Sequence, residues 1–412
     1  MRNTALALLF ALTPVCAFAQ TTGSVSTDSE VIDDVRQNAR IHAGPLYLTP
    51  RIVLKQLGVD DNVFYQAQDP KSDFTFTIAP TLNLALPVAH RALFTVSGAS
   101  DVVYFQKYSS ERSVDPEVTG RVETYLNHLT LYAEDSYISS RQRPNYDIDL
   151  RSRRADNLAS GGLIWHFTPK FSVEGNGRRR TLRYDADAFF DGNSLRDSLN
   201  HDSTGVTITP RFHLTPLTSI AVRLERLQER FEFSPERNND TTRWMPGIEF
   251  KPRALVSGSA FIGHRTLTPR DADALPAFSG LVANLGLSYT LLQSTTFAVT
   301  YDRDLQYSLE PLQPYFVSDA VGASIRRALG AHFDVMGTAQ RYRYAFRHLT
   351  VDPAALVAER EDRVRVYSGT FGFRMGHTAR LGAGVWYTDR QSTRADRTFD
   401  SLRFGTTMTY GF

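Results

Sequence analysis

Apolar and polar residues alternate with a period of two through most of this chain. Leu281, Ala283, Leu285, Leu287 and Tyr289 interleave with Val282, Asn284, Gly286, Ser288 and Thr290. Ile220, Val222 and Leu224 stand against Ser219, Arg223 and Glu225, and Phe333, Val335, Gly337 and Ala339 against Asp334, Thr338 and Gln340. A period of two puts one set on each face of a β-strand. Such segments recur near 46–59, 74–85, 92–105, 116–125, 129–139, 156–166, 171–182, 204–213, 219–231, 243–250, 255–267, 279–290, 296–305, 317–327, 333–345, 364–374, 379–390 and 399–412, about eighteen strands. Within Arg363 to Met375 the apolar parity switches after Val366, which predicts a bulge or a displaced boundary.

The connections fall into two classes that alternate along the series. Leu126-Asn127-His128, Phe167-Thr168-Pro169-Lys170, Lys251-Pro252-Arg253 and Gly376-His377-Thr378 are short; 140–155, 183–203, 232–242, 268–278, 306–316 and 346–363 are long and polar. Short turns on one side and long loops on the other are the signature of a transmembrane antiparallel up-and-down β-barrel, with the turns in the periplasm and the loops outside. An even strand count then places both termini in the periplasm. A soluble sandwich or propeller gives no reason for every second connection to be short.

The last strand carries the same pattern to the end of the chain. Leu402, Phe404, Met408, Tyr410 and Phe412 share one face, opposite Ser401, Arg403, Thr407 and Thr409. Tyr410 and Phe412 resemble the barrel-assembly signal of outer-membrane proteins, which implies the barrel-assembly machinery as a partner. At the other terminus, Met1-Arg2-Asn3, the apolar run Ala5 to Leu12 and Ala17-Phe18-Ala19 predict a secretory signal peptide over 1–19. Cys16 is the one cysteine and lies within it, so no thiol, disulfide or lipid anchor is expected after cleavage. Residues 20–45 are polar, with a short helix capped by Ser29 and carrying Val31, Ile32 and Val35, and are expected to form a periplasmic extension rather than a plug. The barrel is assigned to 46–412.

Composition changes this picture little. The charges nearly cancel, 46 Lys and Arg against 44 Asp and Glu, which argues against a nucleic-acid partner. Past the signal peptide no apolar run approaches the ~18 residues of a transmembrane helix. A barrel needs only alternate residues to be apolar, so a mean hydropathy of -0.29 is compatible with it.

Sixteen to eighteen strands leave room for an aqueous channel, whereas eight are filled by side chains. On strand parity Arg223, Glu225, Asn284, Ser288, Asp334, Gln340 and Arg403 are candidate pore-lining residues, and their mixed signs predict weak ion selectivity. Arg141, Arg143, Arg151, Arg153 and Arg154 crowd one long loop; Arg178, Arg179, Arg180 and Arg183 approach the next. These clusters fit either an anion-facing constriction or contact with an acidic glycan, or else contact with lipopolysaccharide phosphates or plain solvated charge paired with Asp147, Asp149, Asp185 and Asp187. His201-Asp202-Ser203 has the residue types of a hydrolytic triad, but neighbours on a strand face opposite ways. No metal-ligand spacing, phosphate loop or nucleophile elbow is present, so neither enzyme activity nor a cofactor is expected.

The run Val53-Leu54-Lys55-Gln56-Leu57-Gly58-Val59-Asp60-Asp61-Asn62-Val63-Phe64, then Ser72-Asp73-Phe74 and Ile78-Ala79-Pro80-Thr81-Leu82-Asn83-Leu84, resembles the opening of the putative β-barrel porin 2 family. The resemblance implies an outer-membrane barrel associated with exopolysaccharide or capsule export, and it carries no catalytic or binding residues. Two further readings stand beside export: a small-solute diffusion porin, or a closed barrel acting through its outer loops in adhesion or assembly. Aromatic ladders in the lumen would favour glycan passage; a loop folded across it would favour small solutes. Outer-membrane lipids, lipopolysaccharide and polysaccharide-export components are the remaining expected partners.

Overall fold

A computed structural model describes residues 35, 39, 41–89, 91–252, 254–349, 360–376 and 378–411. The signal peptide, most of the extension, His90, His377 and Phe412 lie outside the described residues. Eighteen long strands follow in order: β1 (Leu46–Asp60), β2 (Asp73–Val88), β3 (Ala92–Phe105), β4 (Ser113–Leu126), β5 (Leu129–Ser140), β6 (Arg154–Thr168), β7 (Phe171–Tyr184), β8 (His201–Thr215), β9 (Thr218–Phe231), β10 (Asn239–Phe250), β11 (Val256–Pro269), β12 (Phe278–Leu291), β13 (Thr295–Tyr307), β14 (Tyr315–Leu329), β15 (Phe333–Arg347), β16 (Glu361–Met375), β17 (Ala379–Ser392) and β18 (Phe399–Tyr410). Each pairs antiparallel with its neighbours in sequence, and β1 pairs with β18, so the sheet closes on itself. Closure leaves no sheet edge unpaired, a requirement for strands in lipid. A short strand, Ile41–Ala43, folds back on Leu46–Leu48 through Gly44.

One residue set on every strand points away from the axis. Val206, Ile262 and Phe404 are 57%, 58% and 58% exposed, far more than a water-facing wall tolerates for a continuous apolar band. Phe167 contacts both Trp165 and Phe171 at the short-turn end, and Phe333 stacks on Phe371. Phe76 stacks on Tyr104 toward the other end. Two aromatic girdles bounding an apolar band are what two membrane interfaces select.

The closing seam explains the Asp60-Asp61-Asn62 sequence. Asn62 donates through Nδ2 to the Asp400 carbonyl at 2.9 Å, and Asp61 Oδ1 accepts from the Leu402 amide at 2.7 Å. Asp60 accepts from Ser401 Oγ at 3.0 Å and from Arg403 Nε at 3.1 Å. Three consecutive polar residues at the end of the first strand thus bind the last. Below them the register slips between Lys55 and Gly58, with Gln56 at φ 52° forming a bulge. Gly58 is required there, because a Cβ would meet the Phe404 carbonyl oxygen at 1.9 Å.

In β16 the expected bulge is absent: its pairing with β15 and β17 is continuous from Asp362 to Phe373. Val364 and Val366 face inward, while Arg363 and Tyr367 face outward. The parity of polarity inverts, not that of the backbone, because something apolar covers the inner wall at this height.

Candidate functional site

That cover is the loop 141–153. It leaves β5 and turns into the barrel, where Tyr146 packs with Phe316, Tyr342, Tyr344, Phe346, Val364 and Val366. The Tyr146 and Tyr342 rings lie 5.2 Å apart. Two residues on, Ile148 is buried with Leu195 and Leu199 of the 185–200 connection and Leu309 of 308–314. Apolar residues on the inner wall and apolar residues on the loop bury one another, which removes both from the water of the lumen.

Ion pairs fasten the loop on either side of Ile148. Asp147 Oδ1 meets Arg360 Nη2 at 2.8 Å, and its Oδ2 accepts from Ser308 Oγ at 3.1 Å. Asp149 meets Arg390 at 2.9 Å and Arg397 at 3.2 Å. Arg360 and Arg390 share Asp362, at 2.8 and 2.9 Å. Burial raises the Asp149 carboxyl above the ordinary aspartate range, against the pull of Arg390, Arg143 and Arg397. Arg394 and Arg397 bind Asp191 at 3.0 and 3.3 Å, and Arg237 donates to the Ser308 and Pro314 carbonyls, joining the neighbouring loops to the same lid.

Beneath the lid the inner wall is charged and internally paired. Glu225 receives Arg178 at 2.5 Å and Arg243 Nε at 2.8 Å; Asp304 bridges Arg243 at 2.9 Å and Arg265 at 2.7 Å. Arg211 joins Glu174 at 2.7 Å to Glu249 at 2.8 Å, with Arg223 at 3.6 Å from Glu249 and over the Phe261 ring. Asp334 is surrounded by Arg380, Arg374 and Arg326 at 2.6, 3.2 and 3.8 Å.

The candidate residues distribute over this wall without converging. Arg223 and Glu225 sit in the β9 network; Asn284 donates to Asp302 at 3.1 Å, and Ser288 pairs with Ser257 at 2.7 Å. Gln340 accepts from Tyr342, and Arg403 binds Asp60 and Gln56. Tyr410 is exposed on the outer face. His201 and Ser203 face inward and Asp202 outward, where it binds Arg179 and Arg183, so the triad residues never meet. Among the described residues no group of His, Cys, Asp and Glu fits a metal. What sequence reasoning missed is the inward course of 141–153; the parity change at Val366 was its signal.

The loop divides the mouth. Its free side and the wall of β1–β3, β17 and β18 enclose a cavity of about 180 Å³, lined among others by Lys55, Tyr65, Arg143, Tyr146, Arg151 and Arg403.

The chain is similar to several solved structures at low identity. A BenF-like porin from Pseudomonas fluorescens Pf-5 is 10% identical with TM-score 0.49, over 89% of this chain and 99% of the other. The outer membrane protein opdK from Pseudomonas aeruginosa is 8% identical with TM-score 0.47, over 89% and 98%. A bacterial polysaccharide outer membrane secretin is 8% identical with TM-score 0.34, over 89% and 98%. No curated protein matches the chain. The sequence matches the putative beta-barrel porin 2 family over residues 38–412, which together with the closed antiparallel barrel makes the chain a member of that family of outer-membrane barrels.

Proposed function

We propose that the protein is an outer-membrane channel for small solutes, with loop 141–153 as its constriction. The observation that carries this reading is the loop itself, held inside the barrel by Asp147, Asp149 and Tyr146. An eighteen-strand barrel encloses an aqueous lumen, and the paired charges below the lid keep that lumen hydrated. Exopolysaccharide export, the finer function implied by the family resemblance, needs a bore that passes a hydrated glycan chain. The lid occupies part of the bore beside a cavity of about 180 Å³, which favours small solutes.

In this reading the short turns and both termini face the periplasm. Arg341 and Arg343, opposite Arg365 and Arg363 on the outer wall above Tyr367, meet lipopolysaccharide phosphates. The purified barrel, reconstituted in planar bilayers and in liposomes, should conduct and admit monosaccharides while excluding dextrans. A deletion strain should keep its surface polysaccharide. Loss of that polysaccharide with unchanged small-solute uptake would establish export instead; a barrel without conductance would leave a closed scaffold acting through its loops.

A further inference from the structure

The arginines of the inward loop are held differently from those of the wall. The wall arginines Arg178, Arg211, Arg243 and Arg265 meet carboxylates. Arg143 instead donates Nε to the Asp149 carbonyl at 2.8 Å and Nη2 to the Val63 carbonyl at 2.7 Å, with its guanidinium 4.0 Å from the Tyr65 ring centroid. It forms no ion pair among the described residues. Arg151 lies over the Phe105 ring and donates to the Glu111 carbonyl at 3.4 Å. Its Nε is buried without a hydrogen bond, the nearest carboxylate oxygen, Glu111 Oε2, standing 3.5 Å away. Arg141 is also fixed by carbonyls, those of Ser110 and Arg151, and reaches the same Glu111 only at 4.0 Å.

Carbonyls and ring faces orient a guanidinium without cancelling its charge. Arg141 and Arg151 share Glu111, while Arg143 feels only the charge of Asp149, which Arg390 and Arg397 already bind. Across the cavity the other cations are already neutralised, Lys55 by Asp101 at 2.8 Å and Arg403 by Asp60. The surplus positive charge thus belongs to Arg143 and Arg151, both of which line the cavity. Burial draws Arg151 down to about 10, so it remains charged at neutral pH. A partly buried cation whose counter-charge is shared with other cations favours an added anion, since the low-dielectric walls screen it little.

We infer that this cavity is an anion-selective subsite, at which the carboxylate or phosphate of a small organic anion meets Arg143 and Arg151. Its apolar body would lie against Tyr146 and Trp386, which line the same space. The inference deepens the small-solute reading and rests on it. It also departs from the weak selectivity that the balanced wall charges predict, because selectivity is set where the passage is narrowest rather than by the average charge.

The test is the reversal potential of the reconstituted full barrel under a potassium chloride gradient. Wild type should prefer chloride, and succinate or inorganic phosphate added on the loop side should lower the chloride current while neutral erythritol does not. Replacing both arginines (R143Q with R151Q) should lower the chloride-to-potassium permeability ratio by about threefold or more, as expected for removing two poorly screened charges. The lysine pair, R143K with R151K, should retain the preference, which separates charge from loop structure. A conducting wild type without anion preference, or a glutamine variant with unchanged selectivity, overturns the subsite and leaves the channel standing. A barrel that never conducts overturns both.

Discussion

Asp149 and Arg390, 241 positions apart in sequence, meet at 2.9 Å inside the barrel, and the contact holds an outer loop down in the lumen. The Arg390 side chain is completely buried and its other partner, Asp362, equally so. Buried pairs of this kind add little net stability over an apolar pair, but breaking one strands a charge, at a cost of about 3–5 kcal/mol. Asp149→Ala removes both ion pairs that the loop makes here, leaving Arg390 with Asp362 and Arg397 with Asp191, whereas Arg390→Ala leaves Asp149 with Arg397 and Asp362 with Arg360. Asp149→Ala should therefore release the loop more fully and give the larger rise in single-channel conductance. Equal, wild-type conductance in both variants would show that the loop is held by its apolar contacts alone.

Labelling with an impermeant maleimide reads the same geometry on intact cells. Single cysteines at Asp187 and Glu236, exposed on long loops, should react, and those at Asn127 and Thr378 in short turns should not. Asn145 belongs to a long loop yet should react slowly, because it lines the internal cavity. Its labelling should speed up when combined with Arg390→Ala. Fast labelling at Asn127 and Thr378 would invert the orientation.

The strand count and the facing of nearly every strand were legible because lipid outside and water inside impose opposite demands on alternate residues. Arg223, Glu225, Asn284, Asp334 and Arg403 could be assigned to the inner face on that ground alone. Phe316, Tyr342, Tyr344, Phe346, Val364 and Val366 broke the rule, since their inner wall faces protein instead of water. A run of apolar inward positions confined to the loop end of β14–β16 is thus the sequence trace of an inserted loop. Which loop fills the space was not legible: Asp147 and Asp149 find Arg360, Arg390 and Arg397 more than two hundred residues away, and not the arginines of their own loop. Likewise the Arg178 to Arg183 cluster divides by parity, with Arg178 and Arg180 inward and Arg179 and Arg183 outward.

Acid should tighten the lid. Because burial raises Asp149 above the ordinary value of about 3.9, the docked loop binds a proton more readily than a loop free in water. Its contribution to docking is therefore present at low pH and lost as pH rises through the raised value. Asp396 behaves oppositely: hydrogen bonds from Arg394 lower it, so its contribution is lost only as pH falls below the ordinary range. The two windows do not overlap. Between neutrality and about pH 4 the open probability should fall, and the Asp149→Asn variant should lose that dependence. A rising open probability in the same interval would show that another group governs docking.

Asn62 should matter more than its place in a loop suggests. Its amide spans the seam to Asp400 and also closes the following turn through Gln66, so Asn62→Ala leaves several polar groups of the β1–β18 junction without partners. Each such unmet group costs about 1–3 kcal/mol. The heat-modifiable form should convert to the unfolded form at a lower temperature than wild type on gels, with a smaller effect for Asn62→Asp, which keeps the acceptor. Identical conversion temperatures would mean that strand pairing alone holds the seam.

The terminal strand should govern delivery to the membrane rather than the stability reached there. Tyr410 presents its ring on the outer face, opposite Ile52 of β1 and Ala379 of β17, where it makes little contact with the rest of the barrel. Removing it deletes apolar surface that contacts lipid, a modest loss once the sheet has closed. An assembly factor that reads the free strand, however, meets the outer-face residues before closure. Tyr410→Ser together with Phe412→Ser should therefore lower the amount of heat-modifiable protein in the outer membrane under native expression, while the fraction that does insert unfolds at nearly the wild-type temperature. Unchanged amounts would remove the assembly role from this strand, and a large drop in unfolding temperature would make the residues structural instead.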